Sequence, residues 1–334
     1  MAVVAKTINE TTLSQCNHYL SFSDFEVGKS TQDSAIKHNY LSLGKTLGDW
    51  NRSTETETKK IYEELIQSAL DFLGQSQVFK PLTSRKVEIL VGHICFYLAL
   101  RMSRAIMQVR LIPRGESLVS LAPSPLKKIE LELPQTSEES IRLLQTEAFQ
   151  NLIEYSAALQ RFGLEGQVLV KQKPRFETEL SQPSRFRDRA FLIAQKVSAP
   201  FARKNSYLIS STYLPRLSEF FLALILGQTP ALTEIRDGQN RPVSLSRNVA
   251  VGLGSDFKDL GLSLLKILFP ANLLECSIET QKRALRIGMP SNPRVAFTAN
   301  SFDTDDEFKA TIAGATRIPR YVVAQHGVGY GVSH

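Results

Sequence analysis

Near one end of the sequence an acid, an imidazole and a run of glycines lie close together. Asp303 falls in FTANSFDTDDEFK, residues 297–309, and His326 in VVAQHGVGYG, residues 322–331. An ionised carboxylate facing an electrophilic carbon can act as base or covalent nucleophile. An imidazole titrates near neutral pH, so it can move a proton or hold a phosphate or acidic group. Gly327, Gly329 and Gly331 would let a ligand approach backbone N–H groups, which stabilise the charge of a leaving phosphate. A histidine directly after a buried-type strand and followed by glycines is poorly accounted for by core packing, so His326 is read as functional. Asp303 fits catalysis and helix-end electrostatics equally well. Asp305, Asp306 and Glu307 are read as capping or surface residues, because acids at a helix start gain about 0.3–1 kcal/mol each from the macrodipole. Asp303 and Asp305 alone do not complete a Mg²⁺ site, and no metal is assigned.

The elements that must position these residues are legible. Val295 to Thr298 is a short buried-type strand announced by Asn292-Pro293. Thr304 and Glu307 have capping-box spacing, and Phe308, Thr311, Ile312 and Ala315 fall at i, i+3, i+4 and i+7, which predicts a short amphipathic helix ending before Pro319. Tyr321 to Ala324 is a second strand. A βαβ unit has a right-handed crossover and parallel strands, so both strands end at one edge. The Asn300, Ser301, Asp303 segment and the Gln325, His326, Gly327 segment should then meet within roughly 5–10 Å, one or two strand spacings. Open α/β sheets bind ligands outside that carboxyl edge.

Upstream, Tyr207 to Ser211 reads as a strand, followed by a helix with Pro215 near its first turn and Gly227 closing it before Pro230. VGLGSDF, 251–257, has a GxG but neither a third glycine nor a suitably placed acid, so it is read as a turn into a helix from Asp256 to Leu268. Farther back, a short strand at Ala2 to Lys6 sits in polar loop that runs to Trp50. Tyr62, Leu65, Ile66, Leu70 and Phe72 mark a helix, and Val87 to Ile112 a second one packed on it. His93 lies in that second run and is read as a core histidine, since no other His or Cys stands at ligand spacing. Residues 113–135 read as strand plus loop, and a helix opened by Thr136 or Ser137, with Glu139 close behind, should continue to about Arg161. Lys171, Lys173, Arg175, Arg185, Arg187 and Arg189 form a basic cluster, either solvated surface or a lip attracting a phosphorylated substrate. The division is an irregular segment 1–54, a mainly helical portion 55–203 and an α/β portion 204–334.

Composition excludes several classes. The 334 residues are 43% hydrophobic and 22% charged, with 18 Gly and 15 Pro, which rules out collagen-like and low-complexity chains. Cys16, Cys95 and Cys276 are odd in number and far apart, which excludes a disulfide scaffold or a structural zinc site. Forty Lys plus Arg against 33 Asp plus Glu gives +7, favouring phosphates, nucleic acid or an acidic membrane surface. No stretch interleaves dense basic residues with aromatics, so no specific nucleic-acid partner is assigned. The longest apolar run, Ile89 to Leu100, is well short of the about 20 residues a spanning helix needs, and no export signal opens the chain. A cytoplasmic protein, with the inner face of the membrane as a permitted location, is the expectation.

The two terminal motifs also carry a family resemblance. FTANSFDTDDEFK and VVAQHGVGYG resemble segments of transferases encoded in bacterial surface-polysaccharide clusters, whose second motif reads QHGGxYG, with Val328 here in place of its second glycine. STYLPRLSEFFLALILGQTP, 211–230, is similar to the family's YLP helix and LGQ-P turn. The resemblance spans roughly residues 60–331. It implies a glycosyltransferase-like, GT-B-like protein with two Rossmann-like halves, distantly similar to enzymes that add Kdo-type sugars from nucleotide-activated donors. It implies site residues at Asn300, Ser301, Asp303, Lys309, Gln325, His326, Gly327, Tyr330 and Gly331, with Asp303 and His326 catalytic and the others binding substrate. It implies no cofactor, and as partners a nucleotide-sugar donor and a glycan or lipid-linked acceptor.

The resulting fold class is α/β, a helical N-terminal portion followed by a Rossmann-like parallel sheet that forms the first half of a two-domain enzyme. A βαβ unit and its ligand loop should be followed by structure that covers the sheet. The chain stops three residues after Gly331, so a missing C-terminal, donor-nucleotide half is expected. Two rival readings stand beside it: a non-catalytic module in which the same edge merely docks a nucleotide or phosphate ligand, and a helical interaction protein whose basic Lys171 to Arg189 surface meets nucleic acid.

Overall fold

Two long helices carry the apolar periodicity of the first half of the chain: α1, Leu47–Gly74, and α2, Ser84–Arg110. Ile61, Leu65, Ala69 and Leu73 of α1 and Leu90, Ile94, Leu98 and Met102 of α2 are buried, and these two helices pack on each other more extensively than any other described pair. That is the outcome a 3.6-residue stripe requires. By length and composition alone Ser84–Met107 could span a membrane, but 67% of its most apolar window is buried inside the protein. The computed structural model describes residues 2–5, 18–21, 47–74, 79, 81–110, 118–120, 128–161, 163–173, 196–210, 212, 214–229, 246–299 and 301–324.

The expected helix from Thr136 to Arg161 is two helices, α3 (Ser137–Leu144) and α4 (Glu147–Arg161). Thr136 and Glu139 form the anticipated capping box. The interruption has a local cause. The Thr146 hydroxyl donates to Leu143 O at 2.7 Å, closing the first helix, and accepts from Phe149 N at 3.4 Å, opening the second. A threonine hydroxyl that competes for backbone groups favours this arrangement over a continuous helix.

The described strands form three small sheets. Strand β1 (Ala2–Ala5) lies between β2 (His18–Ser21) and β3 (Leu118–Ser120), all parallel. β4 (Lys128–Glu132) pairs parallel with β5 (Gly166–Lys173), and β5 antiparallel with β7 (Arg247–Leu253), so this mixed sheet joins segments from both sides of residue 204. On β5 the side chains alternate: Val168, Val170 and Gln172 are buried, whereas Leu169 and Lys173 are exposed and Lys173 pairs with Glu130 at 2.5 Å. The first part of the basic cluster is therefore one face of a strand. Arg175, Arg185, Arg187 and Arg189 lie outside the described residues. After β7 the chain turns at Gly254, whose φ of +76° and closeness to Leu164 O leave no room for a Cβ. It enters α7 (Phe257–Leu268), capped by Asp256, so the expected turn into a helix is confined to residues 254–256, while Val251 to Leu253 belong to β7 and pair with β5.

The third sheet has the order β6 (Tyr207–Ser210), β8 (Val295–Thr298), β9 (Arg320–Val323), every pair parallel. Helix α5, residues 196–202, precedes β6. Helix α6 (Arg216–Ile225) follows it, with Pro215 at its start and Gly227 past its end, as predicted. Helix α8 (Ser277–Arg286) precedes β8, and between β8 and β9 come a single helical turn, α9 (Ser301–Thr304), and α10 (Asp306–Gly314).

The expected Thr304–Glu307 capping box is replaced by Asp305, whose carboxylate accepts from Phe308 N at 3.0 Å, because Thr304 is taken into the preceding turn. Nor is α10 amphipathic. Phe308 and Ile312 pack towards the sheet with Leu208, Ala296 and Ile89, while Ala310 and Ala313 enter the large core of α1, α2 and α7. Wedged between two cores, the helix is buried on nearly every side. Its one lysine, Lys309, is therefore buried as well.

Candidate functional site

The register of the third sheet aligns Ser210, Thr298 and Val323 side by side, so three parallel strands end level at one carboxyl edge. Above that edge Ser301 N donates to Thr298 Oγ1 at 2.8 Å, and the hydroxyls of Ser301 and Ser210 lie 2.8 Å apart. Ala324 N donates to Thr298 O at 2.9 Å. The β8–β9 pairing therefore continues to Ala324, and the segment expected to approach Asp303 begins just beyond it, outside the described residues. Ser301 is buried, and Asp303 sits in the α9 turn, partly buried. Asn300, Gln325, His326, Gly327, Tyr330 and Gly331 lie outside the described residues.

Beneath the edge is a buried polar cluster that ties three helices to the Asp303 turn. The Lys309 ammonium donates to Asp303 O at 2.5 Å and to Ser137 Oγ at 2.9 Å. Ser137, at the first position of α3, donates from Oγ to Asp306 Oδ1 at 2.5 Å and from its backbone N to Oδ2 at 3.2 Å. Asn272 Nδ2 donates to Asp306 at 3.3 Å. On the other side the His93 ring of α2 places Nε2 at 3.2 Å and Nδ1 at 3.3 Å from the Lys309 ammonium. Lys309, which the resemblance makes a substrate contact, thus stands below the edge and supports the backbone of Asp303. Asp306 is not a capping or surface acid: it is fully buried, because the all-round burial of α10 carries it inward. Glu307 faces Arg283 at 3.3 Å.

Electrostatics follow from this burial. Loss of water brings the Lys309 amine down from its ordinary 10.5 to about 8, against the pull of Asp306, Asp303 and Asp305. Burial pushes the Asp306 carboxyl up, opposed by the Lys309 cation and the hydrogen bonds from Ser137 and Asn272. Burial, and secondarily the Lys309 cation, holds the His93 imidazole well below its usual range, so the ring is neutral at pH 7 and can accept from the ammonium. The reading of His93 as a histidine satisfied within the protein survives, with a specific partner added. Ser137 and Asn272 were invisible as site residues, since Ser137 meets Asp306 across 169 positions with no local pattern to mark it.

Among the described residues no group of three or more His, Cys, Asp or Glu side chains converges as metal ligands. A surface cleft of about 430 Å³ lies on α1 and α2, lined by Thr54, Thr58, Lys59, Tyr62, Phe96 and Arg104, and none of its residues belongs to the sheet edge. What the edge can do is hold a ligand over level strand ends, with a carboxylate on a turn fixed from below. Residues 126–334, which include the whole edge, match the model of a family described as LIC12162 family transferase. No curated protein and no solved structure matches the chain.

Proposed function

The chain belongs to the LIC12162 family of transferases, and from that premise we propose that it is a glycosyltransferase of surface-polysaccharide biosynthesis. In this reading it takes a sugar from a nucleotide-activated donor to a glycan or lipid-linked acceptor, on the cytoplasmic side of the membrane, as the first half of a GT-B-like arrangement. The observation that carries the reading is the carboxyl edge of β6, β8 and β9, with the Asp303 turn set on it and anchored through Lys309.

The bond between the anomeric carbon and the donor phosphate breaks, and the nucleotide leaves with the bonding electrons. Asp303 either takes the proton of the acceptor hydroxyl as that oxygen attacks, or attacks the carbon itself before the acceptor displaces it. His326 follows Ala324, which is hydrogen-bonded to Thr298 at the same edge, and holds or protonates the donor's phosphate or acidic group. Asn300, Ser301, Gln325, Gly327, Tyr330 and Gly331 contact the ligands. Lys309 acts through Asp303 as a positioning residue. The basic excess of the chain suits a phosphate-bearing donor.

The test is nucleotide release from a panel of nucleotide-activated sugars by the full-length enzyme with both halves present, with Asp303→Asn and His326→Gln made separately. A transferase loses turnover by about 100-fold or more while its donor affinity stays within about threefold. Variants that lose affinity alone would make the edge a binding module, and absence of nucleotide release from every donor would end the proposal.

A further inference from the structure

Helix α6 is apolar yet contributes to neither core cluster among the described residues. In RLSEFFLALI no described side chain is buried, and the helix packs extensively on no other described helix or strand. Phe221 is 58% and Ile225 82% exposed, with Phe220 and Leu224 beside them, two i, i+4 pairs that make one broad outward stripe. Helix α5 is inverted in the same sense. Its small residues, Ala199 and Ala202, close on Gly288, while Val197 and Phe201 stand 66% and 62% exposed. Globular surfaces seldom carry contiguous apolar patches beyond a few hundred Å² unless something binds there.

The segments that follow the two helices are tied together. Asn205 Nδ2 donates to Thr229 O at 2.7 Å, Thr229 N returns a bond to Asn205 Oδ1 at 3.0 Å, and Gln228 Oε1 accepts from Ser206 N at 2.7 Å. Phe201 and Ile225 each lie about one helical turn from these bonds. The rim is basic. Residues 196–206 contain Lys196, Arg203 and Lys204 and no acid, and Arg286 is exposed at the end of α8, next to Leu285, whose carbonyl accepts from Arg203 at 2.5 Å. The one acid of α6, Glu219, accepts from the Thr212 hydroxyl.

The geometry points to a peripheral docking surface for an anionic lipid bilayer: α5 and α6 seat Val197, Phe201, Phe221 and Ile225 among the headgroups and upper acyl chains, with Lys196 and Lys204 against lipid phosphates. Large apolar residues beside a Lys/Arg rim are the composition an anionic interface selects. A two-fold contact with a second copy is disfavoured by the same rim, because it would set basic residues against basic residues across the interface. The inference draws on the proposed function only for its purpose, bringing the sheet edge to a lipid-linked acceptor.

The experiment is co-sedimentation with vesicles of phosphatidylcholine plus phosphatidylglycerol, and of phosphatidylcholine alone, at low and high salt. The protein should bind the anionic vesicles and release at high salt. Lys196→Gln and Lys204→Gln should each weaken binding by roughly fivefold, the equivalent of about 1 kcal/mol per basic residue. Phe221→Ser with Ile225→Ser should weaken it by about tenfold or more while the far-ultraviolet circular dichroism and melting curve stay unchanged, since both side chains are exposed. Equal binding to neutral vesicles, wild-type binding by the double variant, or no vesicle binding together with a dimer in the ultracentrifuge that the double variant abolishes would overturn it. Nucleotide release in solution is scored separately with the same variants and should not change, so failure at the membrane is distinguishable from failure of the transfer reading.

Discussion

Replacing Lys309 by methionine isolates what the buried cation does, because methionine fills much the same volume and leaves no large cavity. The ammonium is fully buried, its hydrogen bonds run to Asp303 O and Ser137 Oγ, and Asp306 beneath it is fully buried too. Removing one member of such a pair leaves an uncompensated buried charge and an unsatisfied carbonyl, which costs about 3–5 kcal/mol at pH 7. The pH dependence has a definite sign. Native Lys309 sheds its proton near pH 8 and the unfolded chain only near 10.5, so between these values the unfolded state binds more protons and wild-type stability rises with pH. That rise amounts to about 3 kcal/mol across the window. The methionine variant lacks it, so its deficit should grow between pH 7 and pH 10. Urea unfolding followed by far-ultraviolet circular dichroism at both pH values measures this. A deficit under about 1 kcal/mol at pH 7, or one that shrinks as pH rises, would refute the reasoning.

Two further outcomes follow from residues around the site. His93 is held neutral in the native state by burial, so below pH 6.5 the unfolded chain takes up a proton that the native chain refuses, and stability falls by about 1.4 kcal/mol per pH unit down to the native pKa. His93→Gln should flatten the urea-midpoint profile between pH 6.5 and 5, and an unchanged slope would contradict the assignment. Gly254→Ala puts a Cβ 2.0 Å from Leu164 O at a φ of +76°. It should cost about 3 kcal/mol or more, read as a lowered melting temperature, and a loss below about 1 kcal/mol would show that the turn is not held as described.

The elements around the edge were legible because their signals are local. Asn292-Pro293 and Pro319 bracket β8 and β9, Pro215 and Gly227 bracket α6, and Thr136 with Glu139 mark the start of α3. Burial around α10 was not legible in the same way. Its apolar spacing predicts one inward face, and Ile89, β6 and β8 do cover Phe308 and Ile312, but the opposite side, which Lys309 and Asp306 suggested was wet, is covered as well, Ala310 and Ala313 entering the large core there. Those polar residues are tolerated inside because Ser137, Asn272 and His93 arrive from remote segments to satisfy them, and no spacing rule anticipates a bond across 169 residues. Strand β5 was hidden by chemistry rather than distance. Lys171 and Lys173 drew the eye to charge, although the alternation of GQVLVKQK is that of a strand with one buried face.

Amide hydrogen exchange of the full-length enzyme with and without a nucleotide-activated sugar addresses the central claim most directly, because it reports where a ligand sits without presupposing turnover. Binding at the edge should slow exchange in residues 207–212, 298–304 and 320–324, where the three strands end. Slowing confined to the cleft of α1 and α2, around residues 54–62 and 96–104, with the edge unchanged, would place the ligand elsewhere and contradict the account.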